Sequence, residues 1–290
     1  MSTKTFTKGN ANRETLSDRM KKYEAVTTET CLIERLPIYA RVDMRAGHSF
    51  CRGLDKPFDD AYSKAMASAT AFIVEKTGAA VGYTQSDEAS FVWLDHTKLP
   101  FGTRLFKLQS VFASMFTAAF MKACIGTKLE EKLSASLPSF DCRVFNMPSL
   151  DECANMILWR ERDSVKNSIT LLALEHFSTK QIDKKNSADK VKMLAEIGVD
   201  YYAVLTPAQR RGSYFRRELY DKVLTAADLA MIPEKSRPEP DGNGVRKVTR
   251  SHVVEFSLEI PLEDVMNKVN ALFFKELPVR IDDERISGEV

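Results

Sequence analysis

No C-x-x-C pair occurs in this chain of 290 residues, and its five cysteines (Cys31, Cys51, Cys124, Cys142 and Cys153) are odd in number and scattered. That disfavours a disulfide framework or a zinc knuckle and points to a reducing cytoplasm. The four histidines, His48, His96, His176 and His252, show no metal-ligand spacing. They read as surface or packing residues, with His48 kept as an outside candidate because of its neighbours. No apolar run approaches membrane-spanning length, and Met1 to Phe6 is polar, without the apolar core of a signal peptide. Charge of one sign is also missing: 42 basic and 40 acidic side chains leave +2. A histone-like polycation is excluded, so nucleic-acid binding has to use local basic patches. There is no internal repeat and no low-complexity tract.

What is present suits a soluble globular protein: 44% hydrophobic and 28% charged residues, at a length ample for a real core. Residues 1–18 are polar and are expected to be mobile. A helix is expected over 19–30, a core strand over 36–44 and a helix over 61–76, the last opened by Pro57, Asp59 and Asp60 and ended by Gly78. Residues 80–94 alternate as a hairpin. Leu105, Leu108, Phe112, Met115, Phe116, Ala119 and Phe120 mark the apolar stripe of a helix over 104–124. A strand follows at 140–145. Ser149 with Glu152 has capping-box spacing for a helix to about Phe177. This order predicts an α+β fold, a palm-type (ferredoxin-like βαββαβ) antiparallel sheet with helices on one face, over 19–177. Residues 178–290 are expected to extend and complete it, with an edge strand at 214–219, a flexible loop at 233–244 and a late strand at 253–258.

Two short acidic segments carry the chemistry. Asp43 closes the first strand, and Asp87-Glu88 sits at the hairpin tip. Taken singly, each is ordinary turn chemistry. In a β-α-β-β unit, however, the strand end and the hairpin turn lie side by side. Carboxylates converging there, with the Met44 carbonyl, would supply most of a magnesium site. Lys56 reads either as a solvated lysine or as a phosphate clamp near helix-start amides. Arg104 and Lys107, one turn apart at a helix start, read as a solvated face or as a triphosphate-facing pair. Arg160, Asp163 and Asn167 share a helix face with Lys166 nearby, either as a salt-bridged surface or as a phosphate- or base-reading one. Arg210 and Arg211, followed by Tyr214, Phe215, Arg216 and Arg217, form either a solvated edge or a patch able to hold phosphates and stack bases.

These segments also resemble a known family. Arg41-Val42-Asp43-Met44-Arg45 with Phe50 and Gly53 to Asp59 is similar to the first motif of the tRNA(His) guanylyltransferase superfamily. Gln85 to Phe91 resembles its second motif, Phe140 to Val144 its third, and Trp159 to Asp163 with Asn167 to Ile169 its fourth. His176 to Gln181 and Arg210-Arg211-Gly212 resemble the bacterial and archaeal guanylyltransferase-like branch. The likeness runs through about residues 18–220, with the motifs in order.

The resemblance implies an enzyme that adds nucleotides in the 3′–5′ direction to the 5′ end of tRNA, either repairing truncated ends or guanylylating tRNA(His). ATP activates a 5′-monophosphate, and GTP is a substrate. Two Mg2+ ions would be held by Asp43, Asp87 and the Met44 carbonyl, with Glu88 in support. Lys56 and Ser86 would contact the activating nucleotide, Arg45 would also bind nucleotide, and Arg104, Lys107, Asp163 and Asn167 would face triphosphates or the tRNA 5′ end. Arg143, Arg160, Lys166, Arg210 and Arg211 are the candidates for RNA contact. A homo-dimer or homo-tetramer is expected. Two positions depart from the family pattern. Met44 stands where Gly is usual, so that a bulky side chain is expected to line the site, and Gly47 stands where an aromatic residue is common. The rival readings are another palm-fold nucleotide enzyme, such as a cyclase, whose Gly-Gly-acidic turn is absent here, and a non-catalytic tRNA-binding protein.

Overall fold

The first strand, β1 (Ile38–Met44), alternates two sets of side chains across one sheet. Ile38, Ala40, Val42 and Met44 enter one buried cluster, and Tyr39 enters another on the opposite face. The structure is a computed structural model that describes residues 15–281. Most of the segment expected to be mobile lies outside the described residues. From Leu16 the chain is already helical, because Thr15 and Asp18 form a reciprocal capping box that opens α1 (Leu16–Thr28).

Six antiparallel strands make one sheet in the order β4-β1-β3-β2-β5-β6. They are β1, β2 (Val81–Gln85), β3 (Glu88–Trp93), β4 (Phe140–Asn146), β5 (Ser213–Val223) and β6 (Lys247–Phe256). The first four strands, with α2 (Asp60–Thr77) and α3 (Leu105–Cys124), form the expected βαββαβ core. Asp59 caps α2 by accepting from the Tyr62 amide, and Gly78 ends it at φ +70°, a backbone conformation that glycine adopts without strain. The apolar stripe of α3 packs on the sheet through aromatic rings. Phe116 and Phe120 meet Phe140 at 4.8 and 5.4 Å, and Phe112 stacks on Trp93 at 5.1 Å.

On the other face lies α5 (Leu150–His176), capped by Ser149. Its Cys153, Ala154 and Ile157 pack with Tyr39, Tyr83, Val92 and Tyr214, and with Leu262, Val265 and Leu272 from the C-terminal part of the chain. Helices on one face therefore describes the βαββαβ core, whereas α5 and the C-terminal residues cover the second face. Glu161 of α5 fastens them there. The Leu262 amide donates to its carboxylate at 2.8 Å, and the Tyr214 hydroxyl donates to its other oxygen. Burial pushes the Glu161 carboxyl up from its usual range, against these two hydrogen bonds.

The strand expected at 214–219 as an edge is longer and internal. β5 pairs with β2 on one side and along ten rungs with β6 on the other, so β6 is the edge. The distal halves of both strands are largely solvent-facing, so they lack the alternation that marks a half-buried strand. No helix among the described residues is long and apolar enough to cross a membrane.

Candidate active site

Antiparallel pairing puts three carboxylates on one rung of the sheet. Asp43 of β1 lies opposite Glu88 of β3 on one side and Asp141 of β4 on the other. Asp87 precedes Glu88 in a two-residue turn that starts at Ser86, whose φ is +50°. The Asp87 carbonyl accepts from the Met44 amide at 3.0 Å, which fastens the turn to the end of β1. Burial pushes the Asp43 carboxyl above the usual carboxylate range, and Asp87, Glu88 and Asp141 push it further, with Arg41 opposing. Among the described residues, no Lys or Arg forms an ion pair with Asp43 or Asp87.

Glu88 differs. Its carboxylate receives Nη1 of Arg160 at 3.0 and 3.2 Å, with both side chains under a tenth exposed. Its charge is thus neutralised within the fold. Gly47 explains how Asp87 fits, because a Cβ built there would lie 2.8 Å from Asp87 Cγ and closer still to Oδ2.

Beside the carboxylates opens a cleft of about 790 Å³. Its walls include Lys56 and Phe58 from the loop before α2, Ser86 and Asp87 from the turn, Ser164, Asn167 and Ser168 from α5, and Gln209 and Gly212 beyond it. The loop is held from outside. Lys128 pairs with Asp55 and, at 2.7 Å, with Asp59, while Lys132 donates to the Arg52 carbonyl at 2.7 Å. Lys132 belongs to a short helix, α4 (Glu130–Ala135).

The remaining sequence-derived residues divide. Lys56, Ser86 and Asn167 line the cleft, as does His48. Arg45 is exposed just past β1, its amide bonded to Ser139 O at 2.8 Å. Asp163 pairs with Arg160 at 3.5 Å, and Lys166 points to solvent. Arg143 is exposed on β4, directly opposite Arg41. The Arg210 guanidinium lies 5.1 Å from the Tyr202 ring centre.

Four expectations need correction. Arg160 is buried against Glu88 and is not an exposed cation awaiting RNA. The Arg211 guanidinium is committed to the Leu258 carbonyl at 2.6 Å. Arg104 and Lys107 sit at the far end of α3 from the acids: Leu105 N bonds Thr30 O and Leu32 N bonds Thr103 O, beside the start of β1, whereas Phe116 and Phe120 reach Phe140 at the acidic end. The Met44 side chain does not line the site. It is 3% exposed and accepts from the Tyr62 hydroxyl at 3.9 Å within the α2–α3 core, because alternate β1 residues face that way.

A family-level sequence model described as tRNAHis guanylyltransferase matches residues 17–148. A tRNA(His) guanylyltransferase of Schizosaccharomyces pombe is 30% identical over 217 residues, which cover 70% of this chain and 80% of that protein. The chain belongs to the tRNA(His) guanylyltransferase family. Two solved structures agree. A bacterial tRNA(His) guanylyltransferase (Thg1)-like protein in complex with ATP superposes with a TM-score of 0.61 and 31% identity, covering 70% of this chain and 87% of that one. A bacterial guanylyltransferase-like protein in complex with GTP gives 0.60 and 27%, covering 85% and 92%.

In this member of the guanylyltransferase family the acidic edge has the chemistry for a hard divalent cation. Asp43 and Asp87 are oxygen donors that repel one another; Arg41 offsets this only in part, and among the described residues no Lys or Arg is ion-paired to either. Among the described residues no three His, Cys, Asp or Glu side chains form a closed cage. The two carboxylates themselves suit Mg2+, which commonly takes one or two of them and completes its shell with phosphate oxygens and water. The residues that sequence reasoning passed over are Lys128 and Lys132, which hold the loop from outside, and Ser164, Ser168 and Gln209, which line the cleft. No local pattern marks them, because they act through long-range packing.

Proposed function

We propose that this protein transfers nucleotides in the 3′–5′ direction to the 5′ end of tRNA, with ATP activating a 5′-monophosphate end and GTP among the nucleotides added. One observation carries the reading: in a chain of this family, Asp87 lines a cleft of nucleotide size and repels the neighbouring Asp43, neither carboxylate being ion-paired among the described residues. Carboxylates left without a cation suit phosphoryl transfer better than RNA binding alone, which needs no such cluster.

The chain's own residues would act as follows. Asp43, Asp87 and the Met44 carbonyl would hold two Mg2+ ions, and these supply Lewis-acid stabilisation of the charge developing on the phosphoryl oxygens. Lys56 and Ser86 would orient the nucleotide phosphates, and Asn167 would face them from α5. In activation, the 5′-phosphate oxygen attacks the α-phosphorus of ATP and pyrophosphate leaves. In transfer, the 3′-hydroxyl of the incoming nucleotide loses its proton, attacks the activated 5′-phosphorus and expels AMP. Arg45, Arg143 and Lys166 are the exposed cations, and Arg210 a half-buried one, left for RNA or triphosphate contact. Assembly as a homo-dimer or homo-tetramer and residence in the cytoplasm belong to the same reading.

The test is incubation with 5′-labelled, 5′-truncated tRNA, ATP, GTP and Mg2+. A longer product supports the proposal. Nucleotide consumption without RNA would favour a cyclase-like enzyme, and tight tRNA binding with neither product would favour a binding protein.

A further inference from the structure

The turn carrying Asp87 is not held by its own geometry. Ser86 at φ +50° occupies a left-handed conformation without being glycine, which costs free energy unless surrounding structure enforces it. Directly after the turn stands Glu88, fully committed to Arg160. Arg160 sits in a socket. Its guanidinium carbon lies 3.7 Å from the ring centre of Trp159, Nη2 is 3.5 Å from Asp163, and Nε is buried with no hydrogen-bond partner. The same helix presents Ser164, Asn167 and Ser168 to the cleft, one to two turns further on. Arg160 therefore bridges the two walls of the cleft: the turn with Ser86 and Asp87, and the α5 face.

We propose that Arg160 is a positioning residue, which acts through Glu88 to hold the Ser86-Asp87 turn where Asp87 and Asp43 grip the same divalent ion. It touches neither nucleotide nor RNA. The inference rests on the reading that Asp43 and Asp87 hold the ions. A buried pair of opposite charges is weak evidence of stabilisation, because its desolvation offsets much of its attraction, whereas a role in fixing one geometry is a recognised alternative. A salt bridge placed one residue from a strained turn and one residue from a proposed metal ligand fits that role.

The test compares the wild type with Arg160→Met/Glu88→Met, in which no lone charge is left buried, and with Arg160→Lys, which keeps the charge but loses the planar donor set. Mn2+ binding is followed by the loss of free-ion paramagnetic resonance signal in the presence of a non-hydrolysable ATP analogue. Analogue binding is measured separately in EDTA, and thermal melting reports the fold. The double variant is expected to melt as one transition, to bind the analogue in EDTA within about twofold of wild type, and to bind Mn2+ at least tenfold more weakly. Arg160→Lys should show the same separation with a smaller loss, and its apparent Mg2+ requirement in the addition assay should rise more than its KM for nucleotide. Wild-type Mn2+ affinity in either folded variant overturns the proposal. So does a loss of tRNA affinity with ion affinity intact, which would return Arg160 to RNA contact. If the wild-type protein takes up no Mn2+ with the analogue, the functional reading itself fails, and Arg160 has no ion to position.

Discussion

Asp43 is the residue whose surroundings oppose its charge most plainly. Burial and three neighbouring carboxylates raise its pKa, so the folded, metal-free protein holds the proton more tightly than the unfolded chain does. For an acid shifted in that direction, stability is lost as pH rises from the ordinary aspartate value, about 4, through the raised one. Asp43→Asn should therefore melt higher than metal-free wild type at neutral pH, with the difference closing below about pH 4. It should also lose any stabilisation by Mg2+ with nucleotide and on the order of 10²-fold or more in addition rate. Thermal melts in EDTA and in Mg2+ at both pH values, with a single-turnover assay, check this. Gly47 gives a second prediction. With its Cβ directed into the Asp87 carboxylate, Gly47→Ala forces that group to move. Displacement by about 1 Å costs on the order of 10²-fold in rate while leaving the fold in place. An unchanged rate in a normally folding variant would mean that Asp87 already works from another rotamer. Asp43 and Asp87 were legible in the sequence because strand, turn and spacing are local signals. The burial of Arg160 was not: its spacing to Asp163 and Asn167 suits an exposed face as well as a buried one, and only the partner strand, seventy-two residues away, decides between them.

At the start of α2 one carboxylate has two tasks. Asp59 accepts from the Tyr62 amide as N-cap and pairs with Lys128 at 2.7 Å. Burial works against its ionised form, but the Lys128 contact and the Tyr62 and Asp55 amides outweigh that, and its pKa is lowered. The sign is opposite to that of Asp43: this stabilisation is present above the ordinary aspartate pKa and is lost as pH falls through the lowered one. Asp59→Ala should cost about 1 kcal/mol for the cap, plus whatever the ion pair contributes. Asp59→Asn should keep the cap and flatten the acid limb of stability. Urea melts of both variants at neutral and acid pH separate the two tasks, and the cleft loop should become more susceptible to proteolysis in each. The helix and its cap were readable from Asp59, Asp60 and Gly78 in the sequence. The tether was not, because Lys128 lies in a connecting segment whose approach to the loop depends on α3 running back across the sheet.

The two buried clusters on opposite faces of the sheet join distant parts of the chain, and the second mixes residues 39–157 with residues 214–273. Leu272 is 1% exposed in that second cluster. Leu272→Ala should destabilise the protein by about 2–5 kcal/mol, in a single denaturation transition seen alike by circular dichroism and tryptophan fluorescence. Two separated transitions would show that the C-terminal residues form an independent unit. The βαββαβ core was readable from periodicity, but β5, β6 and the second helical face were only partly so. Long, mostly polar strands and a helix with a split surface carry little pattern until their partners are known. The cleft draws the same distinction along the chain. Its proposed ion ligands and its loop are complete by residue 88, yet part of its wall comes from Ser164 to Ser213 and from Glu255. A chain emerging from the ribosome would thus carry every proposed ion ligand long before it owned a pocket to receive a nucleotide. Substrate has nothing to stabilise until most of translation is over.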